Sequence, residues 1–281
     1  MGIRNRFVNM IKYLKDKYYW WNVHNKLKIF LAACNDDKIL LFGYPKSGNT
    51  WLRFLLFNYL NLLLDKTQTK TLTYEELNSI QNNIMDRATT FLPKEGYPLF
   101  YRTHKIYKKP YDLFDFKIFI HRNPLDTLVS AYYFYRDRII PFPNDNKHEV
   151  KDLHDIDYYV KTKFLYWKKF YDKSVNEADY VVNYSNLKAN CFHELKSLII
   201  FLKWNLDEDL INKSIRLSSF DNIKKMSEIY SQKYGNAPKD GSFKGNFTRS
   251  GVDGQFLDEL DNSTISFVKN RLTDFNLIYK L

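Results

Sequence analysis

The chain carries the run Tyr44-Pro45-Lys46-Ser47-Gly48-Asn49-Thr50-Trp51 just after an apolar stretch. Gly48 lets the backbone approach an oxyanion, Ser47, Asn49 and Thr50 add side-chain donors, and Lys46 adds a point charge. A helix that opens after Gly48 would turn its first N–H groups and its dipole on the same anion. The run is not a Walker A loop. There the lysine follows the second glycine and the next hydroxyl binds magnesium, whereas here Asn49 takes the lysine's place and Lys46 precedes Gly48. Taken alone, these residues leave two readings: an anion-binding loop, or a strand–helix turn with incidental polar residues. The second candidate is His104, which closes the word Arg102-Thr103-His104. A neutral imidazole near pH 7 suits proton removal, but a single histidine is more often structural or exposed. His121, beside Arg122, reads as positional, and His24, His148, His154 and His193 have no supporting context.

These side chains need elements to hold them. Lys38 to Phe42 reads as a buried strand running into Gly43, and Asn49 to Leu64, with an apolar face and neither Pro nor Gly, reads as a helix. Strand, phosphate-type loop and helix open a parallel α/β sheet. Leu99 to Thr103 is a second strand with His104 at its end, and Phe116 to Ile120 a third, followed by a turn over 121–124. Pro124 then opens a helix from Leu125 to Arg138. Residues 139–155 form a polar, Pro-containing loop suited to a substrate lid. A helix over 156–174, a strand over 179–183 and a helix over 191–202 follow. From Tyr230 to Asp261 the chain turns irregular and glycine-rich, and 263–281 returns to helix.

The formal charge is +11, from 43 Lys and Arg against 32 Asp and Glu, which predicts an anionic partner without naming it. A hydrophobic content of 44% excludes wholesale disorder. Two cysteines, Cys34 and Cys191, exclude a disulfide framework and a cysteine zinc site. No apolar run is long enough for a membrane-spanning helix, so the expectation is a cytoplasmic protein with reduced thiols. No RNA-binding word, zinc-finger spacing or basic repeat supports nucleic acid. Residues 1–30 read as a basic amphipathic helix, open either to peripheral contact with an anionic membrane or to packing on the domain.

The run 44–51 and the run Arg122-Asn123-Pro124-Leu125-Asp126-Thr127-Leu128-Val129-Ser130, in this order and separation, carry a family likeness. From about Lys38 to about Phe256 the sequence resembles the PAPS-dependent sulfotransferase family, in its soluble cytosolic and bacterial branch. The first run resembles its 5′-phosphosulfate loop and the second its 3′-phosphate element. The resemblance implies a single α/β domain over 31–281, with a central parallel sheet flanked by helices and a P-loop NTPase-like phosphate loop. It implies transfer of a sulfonate from PAPS (3′-phosphoadenosine 5′-phosphosulfate) to a hydroxyl or amine, with adenosine 3′,5′-bisphosphate as product and no metal.

Carried over to this sequence, the resemblance assigns Lys46 to the 5′-phosphate and the bridging oxygen, and Ser47, Gly48, Asn49 and Thr50 to the 5′-phosphate. It stacks Trp51 on the adenine, with Tyr184 in contact and Ser219-Phe220 covering the other face. It assigns Arg122, Ser130, Arg249, Ser250 and Gly251 to the 3′-phosphate, although Ser250 stands where the family has lysine and Gln255-Phe256 where it has Asp-Trp. It makes His104 the general base, with Arg102 in place of the usual lysine stabilising the moving sulfonate. Three lysines in the segment 105–111 lean toward a polar or acidic acceptor, such as a saccharide or small metabolite, with aromatic residues among Tyr132 to Tyr135 as a stacking wall. The alternative is a P-loop-like nucleotide kinase. The missing Walker lysine and the Arg122/Ser130 pair argue against it. The oligomeric state is not readable from the sequence.

Overall fold

The structure is a computed structural model that describes residues 25, 27–32, 34, 37–83, 95–104, 111–138, 153–234 and 251–273. Five parallel strands make one sheet in the order β2-β3-β1-β4-β5. They are β1 (Lys38–Phe42), β2 (Gln81–Asn83), β3 (Leu99–Thr103), β4 (Phe116–His121) and β5 (Tyr180–Asn183). The helices are α1 (Asn49–Leu64), α2 (Tyr74–Ser79), α3 (Pro124–Arg138), α4 (Ile156–Glu177), α5 (Tyr184–Ala189), α6 (Cys191–Phe201), α7 (Glu208–Leu217), α8 (Phe220–Tyr234), α9 (Phe256–Glu259) and α10 (Asn262–Thr273).

The central strands are apolar on both faces because both faces are covered. Along β1 the side chains alternate: Ile39 and Leu41 join a core with α1, α6 and α7, whereas Leu40 and Phe42 join one with Leu27, Leu31 and Phe114. A third cluster packs α3 and α4 against α9 and α10 around Trp167. Residues 25 and 27–32 are helical and dock through Leu27 and Leu31, while 1–24 lie outside the described residues.

The parallel sheet and its flanking helices match the fold expected from the sequence. Several details differ, with the helices α2, α5, α7 and α8 absent from the sequence reading. The edge strand β2 carries no apolar signal, yet its polar Gln81 and Asn82 are buried. His121 ends β4 instead of starting the turn. The irregular stretch expected from Tyr230 begins later, because α8 runs to Tyr234. The expected lid over 139–155 lies almost wholly outside the described residues, as do 235–250 and 274–281.

One buried polar side chain ties distant parts together. Asn58, in the apolar body of α1, donates to Thr71 Oγ1 at 3.2 Å and Ser218 Oγ at 2.9 Å, and accepts from Leu72 N at 3.1 Å. Ser218 in turn accepts the Trp51 indole N–H on its carbonyl at 3.0 Å. Asn58→Leu keeps the size and strands these partners, each at a cost of about 1–3 kcal/mol. The expected result is a clearly lower urea midpoint, and an unchanged midpoint would contradict this role.

Candidate active site

Strand β1 has β3 on one side and β4 on the other, so the chain reverses direction across the sheet at this point. In open α/β sheets, ligands bind beyond the strands' carboxyl ends at such a reversal. In-register pairing of Phe42 with Thr103 and Phe119, and of His121 with Asn183, brings the residues just past four strands together. Here a cavity of about 750 Å³ opens, walled by residues of the loop after β1, by His104 after β3, Arg122 after β4 and Tyr184 after β5.

The loop is built to present amides. Gly48 is the N-cap of α1 in a left-handed conformation (φ 97°), no side chain caps the helix, and its first turn holds no acid. A Cβ on Gly48 would sit 2.3 Å from Tyr184 Cδ2, so only glycine fits. Lys46 is also left-handed, at φ 73°. Alternating left- and right-handed residues curl a loop so that successive N–H groups converge on an anion. Lys46, Gly48, Asn49, Thr50 and Trp51 all line the cavity. Lys46 Nζ lies 4.7 Å from the Phe134 ring centroid. Two loop residues depart from the expected contacts. Ser47 is fully buried away from the cavity lining, its Oγ without a hydrogen-bond partner, and Asn49 turns its amide back to Tyr44 O at 3.4 Å.

His104 Nδ1 lies 2.8 Å from the carbonyl oxygen of Gly43. A carbonyl only accepts, so Nδ1 carries the proton and Nε2 of the neutral ring keeps its lone pair. His104 keeps open surface on the cavity wall, yet the protein around it is dense enough to disfavour the charged ring. Its pKa falls from 6.5 to about 4, first by desolvation and then by the nearby cations Arg102, Arg53 and Lys46, against the raising effect of the Gly43 bond. His121 also falls to about 4, by burial alone, and packs against Phe119 and Tyr171 away from the cavity lining. His154 and His193 are exposed.

At the opposite end, Arg122 is buried and already engaged. It donates to Val252 O at 2.6 Å and to Asp253 Oδ1 at 3.0 and 3.2 Å, with Asp126 Oδ2 at 3.8 Å. Its guanidinium lies 4.7 Å from the Tyr184 ring centroid. Ser130 lines the cavity nearby, and Lys188 donates to Gly251 O at 2.7 Å. Gly251 is left-handed at φ 64°, and a Cβ there would lie 2.8 Å from the Phe220 ring. Trp51, edge-on to Tyr184 with centroids 5.5 Å apart, and the partly exposed Phe220 supply aromatic surface. Ser219 lines the cavity but caps α8, its Oγ accepting from Asn222 N at 3.3 Å. Arg249 and Ser250 lie outside the described residues.

The sulfotransferase domain family model matches residues 36–273, most of the chain. The chain belongs to the sulfotransferase family. As a member it is a PAPS-dependent transferase, and the kinase reading falls away. Mouse sulfotransferase 1B1 is 25% identical over 276 residues, covering 92% of this chain and 90% of that protein. Flavonol 4′-sulfotransferase of Flaveria chlorifolia is 23% identical, covering 93% of this chain and 88% of that protein. Among solved structures, mouse sulfotransferase SULT7A1 complexed with PAP aligns at TM-score 0.54 and 21% identity, over 90% of this chain and 87% of that one. Retinol dehydratase in complex with androsterone and inactive cofactor PAP aligns at TM-score 0.61 and 16% identity, over 86% and 82%. Among the described residues of this sulfotransferase, no three His, Cys, Asp or Glu side chains stand close enough to hold a metal ion, and no helix is long and apolar enough to cross a membrane.

Sequence reasoning missed Arg53, Tyr74, Asn78 and Lys188 on the cavity wall of this sulfotransferase. A signal existed for Arg53: it lies four residues after Asn49, hence on the same helix face. The loop's strain gives a direct test. Lys46→Gly and Lys46→Ala both delete the amine, but only glycine relieves the left-handed backbone. The glycine variant should be the more stable of the two by about 1 kcal/mol, read as a higher urea midpoint. Equal midpoints would mean that the loop holds no strain.

Proposed function

We propose that this sulfotransferase uses His104 as the general base for sulfonate transfer to a hydroxyl or amine of a polar small molecule or a saccharide. One observation carries the reading: Gly43 O fixes the proton on Nδ1 of a neutral His104, in the same cavity as the uncapped start of α1. The cavity suits the donor's 5′ end, because the amides at the start of α1 have no capping side chain and no acid beside them. When bound, PAPS supplies the sulfonate and leaves as adenosine 3′,5′-bisphosphate.

The chain's own residues divide the work. Gly48, Thr50 and the α1 amides hold the 5′ end, with Lys46 as a point charge where negative charge grows on the departing oxygen. Arg102 faces the moving group from β3. His104 Nε2 takes the acceptor's proton. Trp51, Tyr184 and Phe220 offer faces and edges to the adenine, and Arg122, Ser130, Lys188 and the Gly251 turn surround its 3′ end. Phe134 and Tyr135 line the cavity and suit the face of a sugar or a planar acceptor, while Tyr132 turns into the core. A cytoplasmic location fits the two free thiols of Cys34 and Cys191.

A base must be neutral to work, so activity is lost as pH falls through its pKa. The depressed value for His104 therefore places the acid limb of kcat/KM near pH 4 instead of 6.5. His104→Ala should cut turnover by roughly a hundredfold or more and leave adenosine 3′,5′-bisphosphate binding nearly intact. Turnover unchanged in this variant would remove His104 from its role.

Arg122 gives a second test. Asp253 occupies the guanidinium edge that a 3′-phosphate would take, so the phosphate must displace or share it. Asp253→Asn should tighten adenosine 3′,5′-bisphosphate by roughly tenfold, the scale of one charge-assisted hydrogen bond. Adenosine 5′-monophosphate should change little. Equal gains for both nucleotides, measured by calorimetry, would break the assignment of Arg122 to the 3′-phosphate.

A further inference from the structure

Arg53 is a buried charge in the cavity wall that the proposed reaction leaves unexplained, whereas Arg216, also in the wall, is exposed. Arg53 sits in α1, 4% exposed, among the apolar residues that pack the helix onto the sheet. Its Nη2 donates to Asn78 Oδ1 at 3.0 Å, and its Nε is buried with no acceptor. Among the described residues no carboxylate lies within ion-pair distance of it. The neighbouring charge is another cation, Arg102 of β3, and desolvation together with that cation pulls the Arg53 pKa well below the usual arginine range. Burying an unpaired charge is costly, and an amide oxygen such as that of Asn78 does not neutralise it.

Arg122 shows the contrast within the same cavity. It is just as buried, but it has Asp253 and Asp126 beside it. Among the described residues, therefore, protein carboxylates balance Arg122 at the β4 end, and none balances Arg53. Arg53 also lies one helical turn deeper than Asn49, about 6 Å along the axis from the amides that face the donor. Its charge acts on His104 together with those of Arg102 and Lys46.

We infer that Arg53, braced by Asn78 and flanked by Arg102, binds an anionic group carried by the acceptor, a carboxylate or a sulfate ester, next to the hydroxyl or amine that His104 deprotonates. The inference rests on the sulfonate-transfer reading and names its acceptor class: an acidic sugar or an already sulfated one, in preference to a neutral sugar. The guanidinium plane matches either anion with paired N–H donors, which the neutral hydroxymethyl of a hexose cannot use. Discrimination of this kind is strong, because a neutral ligand leaves the buried donors unpaired.

The test is binding of methyl β-glucuronide, methyl β-glucoside and glucose 6-sulfate to the whole protein, followed by calorimetry with and without saturating adenosine 3′,5′-bisphosphate. The wild type should bind the glucuronide or the 6-sulfate at least tenfold more tightly than the glucoside, and the tighter of the two names the anion. Arg53→Gln, which keeps a donor for Asn78, should bring that ratio close to one while the nucleotide's own affinity stays within about twofold. A wild type that binds all three sugars alike, or none of them, overturns the inference without needing any variant. So does an Arg53→Gln protein that weakens the nucleotide instead, since Arg53 would then serve the donor. The nucleotide titration is read separately: a wild type that does not bind it sinks the donor assignment, whatever the sugars do.

Discussion

The close approach of Tyr184 to Gly48 governs how this site is assembled. The loop after β1 can turn its amides outward only by passing through a left-handed residue, and the ring from the start of α5 lies where any Cβ would be. Through that contact the β1 loop is registered against the end of β5. Tyr184 then carries the Arg122 guanidinium near its ring, and Arg122 holds Val252 and Asp253. Gly251, just before them, packs against Phe220 and accepts from Lys188. Segments from 48 to 253 thus meet around one cavity through a chain of contacts that begins at a missing side chain. Larger residues at position 48 would disturb every later link.

Electrostatics separates the two ends of that cavity. The overall excess of +11 first suggests any anionic partner. Inside the fold the cations have distinct settings. Arg122 is countered by Asp253 and Asp126, so its field is partly spent within the protein. Lys46, Arg53 and Arg102 act together on His104 and help hold it neutral. The same cations that favour an anionic ligand therefore also keep the His104 ring deprotonated. A cation-lined cavity is thus compatible with a working imidazole base.

Much of the frame was legible in the sequence because local pattern and tertiary role agree there. Lys38–Phe42 is apolar at successive positions because both faces of a central parallel strand are buried. Asn49–Leu64 has the expected bounds, since Gly48 breaks the chain before it and nothing inside interrupts it. The edge strand β2 was invisible: Gln81 and Asn82 are buried yet polar, and pattern reasoning reads burial only through apolar residues. The start of α8 was missed in a similar way, as Ser219 looked like a ligand contact and is also a helix cap.

The amino-acid sequence by itself determined the family, the parallel α/β frame and the order in which the 44–51 loop, His104 and the 122–130 run occur, because these depend on short-range words and periodicity. Only the tertiary structure decided which members of those words reach the cavity. Ser47 lies outside the cavity lining, while Arg53, outside the recognised words, stands in the wall. It also decided the charge balance. Asp253 is 131 residues from Arg122, and Asn78 is 25 from Arg53. Which buried charge finds a counter-ion depends on segments brought together by folding, and no spacing in the chain encodes that directly.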